Sequence, residues 1–133
     1  PSAVDDVPRA LPSLARAGKL QRRMARAGFD WRDREGIFAK LAEEIAELRA
    51  ALAAGDAEAS GRELGDVLFV AANLGRACGI DPETALRATN ARVEARFRFL
   101  EARLAEGGRT PADAAPEELE ALWRDAKASE TTS

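Results

Sequence analysis

The sequence predicts an all-α protein, and three observations carry that expectation. The apolar 46% of the chain is dominated by Ala and Leu, which favour helix. Tyr is absent and β-branched residues are few, so strand formers are scarce. Apolar residues recur at spacings of three and four, in segments separated by Gly and by Asp-Pro. At 133 residues the chain has the common size of one domain, able to bury roughly two-thirds of its unfolded surface. One helical domain over residues 1–133 is expected, with a polar tail at 128–133.

Pro12 opens the first helix, where Ala17, Leu20, Met24 and Ala27 repeat at helical spacing until Gly28. The turn Gly28-Phe29-Asp30-Trp31 follows. A second helix carries Phe38, Leu41, Ile45, Leu48 and Leu52 as its inward stripe and stops at Gly55-Asp56. The third runs from about Ala57 to Cys78 with Leu64, Val67, Leu68, Ala71, Leu74 and Cys78 inward, and Gly79 follows its cap. Gly65 and Gly75 each cost this helix about 1 kcal/mol relative to Ala unless another backbone packs closely there. Asp81 and Pro82 start a fourth helix through Leu86, Val93, Phe97, Leu100 and Leu104 to Gly107-Gly108. After a loop to Pro116, a short helix holds Leu119, Leu122, Trp123 and Ala126. Short connections argue for antiparallel neighbours and a four-helix-bundle-like arrangement.

Charge and composition exclude several functions. Twenty basic and 23 acidic residues are spread along the chain for a net −3, so no extended nucleic-acid surface is expected. Cys78 stands alone and cannot form an internal disulfide. No signal pattern and no long apolar run is present, so a cytoplasmic protein without membrane association is expected. The absence of His removes histidine bases and His-ligated zinc, and leaves acid-base work to carboxylates. The chain begins at Pro1 without an initiator Met, which suggests a processed product or a piece of a longer chain.

The chemistry concentrates on two helices. Glu47 lies within one turn of both Glu43 and Glu44 at the edge of the apolar stripe, a pattern that also occurs as plain solvated surface. Glu63 and Asp66 share a face with Val70 and Asn73 on a helix that carries no charge from Val67 to Gly75. Carboxylates there need a compensating partner, either a nearby Arg or a cation. A hairpin closed at Gly55-Asp56 can bring Glu44 and Glu47 opposite Glu63 and Asp66. Four facing carboxylates repel unless something positive sits among them, and an all-oxygen donor set favours Mg²⁺ or Mn²⁺. Mg²⁺ takes substrate phosphates as further ligands, which points to a phosphate ester or anhydride.

Glu43-Glu44-x-x-Glu47 followed by Glu63-x-x-Asp66 and Val67-Leu68-Phe69 resembles the paired acidic signature of the MazG nucleotide pyrophosphohydrolases. Residues 7–14, the Gly28–Trp31 turn and Lys40 resemble the second, C-terminal domain of long MazG proteins. Asn90-Ala91-Arg92-Val93-Glu94-Ala95-Arg96-Phe97 is similar to a downstream family segment, and Leu122-Trp123 to the aromatic position of its last helix. The resemblance covers residues 7–127. It implies Mg²⁺-dependent hydrolysis of nucleoside triphosphates to monophosphate and pyrophosphate, with the metal on Glu44, Glu47, Glu63 and Asp66. Glu43, Glu44 and Glu47 are then the catalytic carboxylates, Glu43 as a base or behind the ligands. Lys40, Asn90, Arg92, Arg96 and Trp123 are expected to contact substrate, Trp123 at the base. Arg92 departs from a frequent Lys, and Ala57–Ser60 lacks a Lys of some relatives.

Each of these has a plainer alternative. Arg92 and Arg96 can pair with acids such as Glu101, Lys40 with Glu43 or Glu44, and Trp123 can be core. A pyrimidine-specific dUTP or dCTP pyrophosphatase is a near rival, and a non-catalytic helical interaction or regulatory module is the alternative of a different class. A homodimer is expected, because the third helix is apolar on more faces than one partner covers, with Phe69 and Val70 outside its main stripe. The family resemblance implies the same.

Overall fold

In the computed structural model, which describes residues 1–130, the chain forms α1 (Ser13–Arg26), α2 (Arg34–Ala53), α3 (Ala57–Ala77), α4 (Pro82–Ala105) and α5 (Pro116–Glu130). A single 3₁₀ turn, Pro111–Asp113, precedes α5, and no strand occurs among the described residues. The helix ends follow from local sequence. Asp33 and Asp56 accept from the amides of Gly36 and Ala59 at 2.9 and 3.0 Å, each capping the helix that follows. The Thr84 hydroxyl donates to Asp81 at 2.6 Å, and with the amides of Glu83 and Thr84 it holds that carboxyl below its ordinary range. Gly79, with φ 74°, closes α3: its amide donates to Arg76 and the Ile80 amide to Gly75.

The chain divides into two compact units, Pro1–Ala85 and Leu86–Ser133. In the first, α2 and α1 both pack on α3. Its core holds Val7, Ile37, Val70 and Ala72, together with three polar side chains, Gln21, Glu44 and Asn73. This corrects the expected inward stripes in part, since Leu41, Leu48, Val67, Leu74 and Cys78 are half-buried as expected. On α2 the buried positions are Ile37 and Glu44, two turns apart, whereas Phe38, Ile45 and Leu52 face solvent. On α3, Leu64, Leu68 and Ala71 are exposed, while Val70, expected outside the stripe, is buried beside Asn73. Periodicity places polar residues outward, so Glu44 reads as the edge of the apolar stripe, whereas it lies in the interior.

In the second unit, α5 folds back along α4. Arg96 donates to both oxygens of Glu130 at 2.7 and 3.0 Å, and Leu100, Leu104 and Ala126 are buried. Leu86, Val93 and Phe97 of the expected α4 stripe are exposed. The Thr110 amide donates to Asp113 at 2.8 Å, and Arg109 donates to Glu118 at 2.8 Å, which fixes the approach to α5. Helix α5 continues through Glu130, so half of the expected polar tail is helical; residues 131–133 lie outside the described residues. No helix among the described residues is long and apolar enough to cross a membrane.

The two mid-helix glycines of α3 differ. A methyl group at Gly75 would stand 3.2 Å from the Ile80 carbonyl oxygen, which is held in the α3 closing turn. Nothing lies within 4 Å of the corresponding point at Gly65. Gly65→Ala is expected to stabilise the chain by about 1 kcal/mol in urea denaturation, and Gly75→Ala to destabilise it. Equal effects would contradict the close backbone approach.

Candidate metal centre and adjoining cleft

The α2–α3 hairpin brings one carboxylate oxygen each from Glu44, Glu63 and Asp66 within 4.8 Å of one another. Two unit negative charges at that distance repel by roughly 3–4 kcal/mol at an effective dielectric of 20. Glu44 is 6% exposed, Glu63 half-buried and Asp66 at the surface. One oxygen of Glu44 and one of Glu63 are fully buried without a hydrogen-bond partner. Such orphaned atoms are costly unless a positive charge meets them.

Protein cations supply only part of that charge. The Lys40 ammonium lies 3.1 Å from the outer oxygen of Glu44 and 3.5 Å from Glu43, and its contact with Glu44 raises its own pKa. Glu43 is otherwise exposed. Glu47 sits against Glu44 and Glu63, and the Glu44 charge first, then burial, pushes its proton affinity up from the ordinary 4.5. The donor set is all oxygen and clustered, with orphaned buried atoms facing no protein cation. It therefore fits a hard divalent ion such as Mg²⁺ or Mn²⁺.

A cleft of about 590 Å³ adjoins this cluster. Lys40, Glu44 and Asp66 line one part of it, and Met24, Phe29, Trp31 and Phe69 supply apolar walls. Gln21, Asn73 and Arg76 add polar groups. Gln21, 4% exposed, donates to the Phe69 carbonyl at 2.8 Å and leaves its own side-chain oxygen buried and unpartnered. Sequence reasoning placed Asn73 on the acidic face but missed Gln21 and Arg76, because neither belongs to a local pattern. The one available signal was the pair of aromatics in a glycine turn.

Of the expected site residues, Lys40, Glu43, Glu44, Glu47, Glu63 and Asp66 come together in the first unit. Asn90, Arg92, Arg96 and Trp123 belong to the second. Asn90 is exposed, and Arg92 donates to the Thr89 hydroxyl at 2.9 Å. Arg96 is held by Glu130, not by Glu101, and its guanidinium lies 5.8 Å from the centre of the half-buried Trp123 ring. The Glu130 carboxylate raises the Arg96 pKa and is itself held below its ordinary value by that contact.

Comparison with known proteins places these residues in a family context. The sequence model described as phosphoribosyl-ATP pyrophosphohydrolase matches residues 19–93, which contain all six acidic-centre residues and both Asn90 and Arg92. The chain is 40% identical over 131 residues to the nucleoside triphosphate pyrophosphohydrolase of Escherichia coli K12, covering 97% of this chain and 50% of that protein. It is 33% identical over 131 residues to the nucleoside triphosphate pyrophosphohydrolase/pyrophosphatase MazG of Thermotoga maritima, covering 98% and 50%. The chain thus spans about half the length of these relatives.

The raised Glu47 pKa has a pH consequence with a definite sign. Without a divalent ion, the folded chain binds a proton at Glu47 more tightly than the unfolded chain does, so stability falls as pH rises from about 4.5 through the raised value. Mg²⁺ should flatten that fall, and Glu47→Gln should remove the Glu47 contribution. Thermal melts between about pH 4 and 8 check this. A Glu47→Gln profile identical to wild type would show that the carboxylate does not feel its neighbours.

Proposed function

The chain belongs to the phosphoribosyl-ATP pyrophosphohydrolase family as a MazG-like domain, and on that footing we propose that it hydrolyses nucleoside triphosphates to monophosphate and pyrophosphate in a Mg²⁺-dependent reaction, with Mn²⁺ as a substitute. The observation that carries this proposal is the juxtaposition of Glu44, Glu63 and Asp66 with orphaned buried oxygens. These three, with Glu47 beside them, hold the ion, which supplies positive charge against the polyphosphate. Glu44 and Glu47 are the proposed catalytic carboxylates on the ion, and Glu43, which shares Lys40 with Glu44, is the proposed base or the residue behind the ligands. Lys40, Asn90, Arg92 and Arg96 are the proposed phosphate contacts.

Trp123 is a proposed base contact on family resemblance. The cleft offers a second aromatic place for the nucleoside, favoured by one observation: its lining includes Glu44 and Asp66 themselves. Exposed Phe38, Ile45 and Leu52 on α2, with Leu64 and Leu68 on α3, support a homodimer that covers them. A housekeeping role in the cytoplasmic nucleotide pool accords with this chemistry.

Pyrophosphate release from each common nucleoside triphosphate, with and without Mg²⁺, tests the function. Release is expected only with the ion, and Asp66→Asn should lower it by more than about a hundredfold, beyond the loss typical of groups that merely orient ligands. In heavy-oxygen water the label should enter the monophosphate, and label confined to pyrophosphate would place attack at the β-phosphorus. No release from any substrate would favour a non-catalytic helical module.

A further inference from the structure

The turn between α1 and α2 is held by chemistry unrelated to the acidic cluster. Gly28, with φ 105°, ends α1, and the Phe29 amide closes back on the Met24 carbonyl at 2.9 Å. Beyond that point, among the described residues, no backbone hydrogen bond ties residues 30–32 to another helix. A side chain does so instead. The Arg76 guanidinium, on α3, donates from Nη2 to Asp30 Oδ1 at 2.7 Å, and the same oxygen accepts the Trp31 amide at 2.8 Å. Arg76 Nε donates to Asn73 Oδ1 at 2.8 Å, so the buried Asn73 fixes the guanidinium from its other side. The Arg76 side chain is 13% exposed and that of Asp30 41%. Asn73, Arg76 and Asp30 therefore form one path from the interior of α3 to the backbone of the aromatic turn. That turn sets Phe29 and Trp31 along the cleft lined by Glu44 and Asp66, and the Trp31 ring reaches the start of α2 near Gly36.

We propose that Arg76 is a positioning residue for substrate: by latching Asp30 it holds Phe29 and Trp31 as the wall of the cleft that receives the nucleoside. This rests on the cleft being a place for the nucleoside. The latch does not touch the reacting atoms, so it sets affinity and leaves the chemical step alone. A turn released from α3 presents its aromatic wall only part of the time, and apparent affinity falls by the fraction of time it is in place. Lys cannot replace Arg76, because a single ammonium lacks the fork that reaches Asn73 and Asp30 together. Asn can replace Asp30, because its amide oxygen still accepts both bonds.

The test uses the whole chain with saturating Mg²⁺ and the nucleoside triphosphate it hydrolyses fastest. Asp30→Ala and Arg76→Lys should each raise KM about three- to tenfold with kcat changed by less than about twofold. The double variant should add nothing, and Asp30→Asn should restore near-normal KM. A reading independent of activity comes from Trp31 emission in a Trp123→Phe background, where Asp30→Ala should increase acrylamide quenching. If Trp31→Ala raises KM while Asp30→Ala does not, the cleft stands and the latch is overturned. If Trp31→Ala leaves KM unchanged, the nucleoside lies elsewhere and the proposal falls with it. A drop in kcat at constant KM would also overturn the positioning role. Should Arg76→Lys fold poorly, the Asp30 variants, on an exposed turn, carry the test alone.

Discussion

Mutual repulsion among Glu44, Glu63 and Asp66 is the constraint around which the first unit is arranged. Three carboxylates are held within 4.8 Å on a hairpin of two long helices, with two oxygens sealed from water and without partners. Their repulsion by itself would separate the helices. The packing of α2 along α3 opposes that tendency by burying Ile37, Val70 and Ala72, and Lys40 offsets the charge at one edge only. Carboxylates gathered in this way could hold a metal ion, because repulsion relieved on binding becomes binding free energy.

The same hairpin buries polar side chains that periodicity would turn outward and leaves large apolar ones exposed. An ordinary surface helix turns its polar row outward, but α2 buries Glu44 and turns Phe38, Ile45 and Leu52 out, and α3 buries Asn73 while exposing Leu64 and Leu68. Glu44 shares its inward row with Ile37 and the half-buried Leu41 and Leu48, while the opposite row is apolar and exposed. The cleft lies where the polar row meets the aromatic turn, which puts charged and stacking groups within reach of one ligand.

Much of this was legible in the sequence, and the limits have physical causes. Helix ends were readable because caps are local: Asp56, Asp81 with Pro82, and Gly79 act within a few residues of themselves. The gathering of Glu44, Glu63 and Asp66 was readable because a short connection at Gly55-Asp56 leaves a hairpin little freedom. Parts of the inward faces were misassigned because periodicity treats polar side chains as solvent-seeking, which fails for Glu44 and Gln21. Glu130 as the partner of Arg96 was not legible, since the two are 34 residues apart and only tertiary folding chooses between it and Glu101. Gln21 and Arg76 were missed for the same reason, as their significance comes from the turn and helix they join.

Direct titration of Mn²⁺ into the folded chain, with free ion followed by its paramagnetic signal, tests the central claim most simply. The account predicts saturable binding by the wild type and at least about tenfold weaker binding by Glu63→Gln with unchanged helical content. Removing that charge takes away a buried, partnerless carboxylate oxygen without altering the shape of the side chain. Equal Mn²⁺ binding by the two proteins would contradict the account and return the acidic cluster to the status of a helix surface.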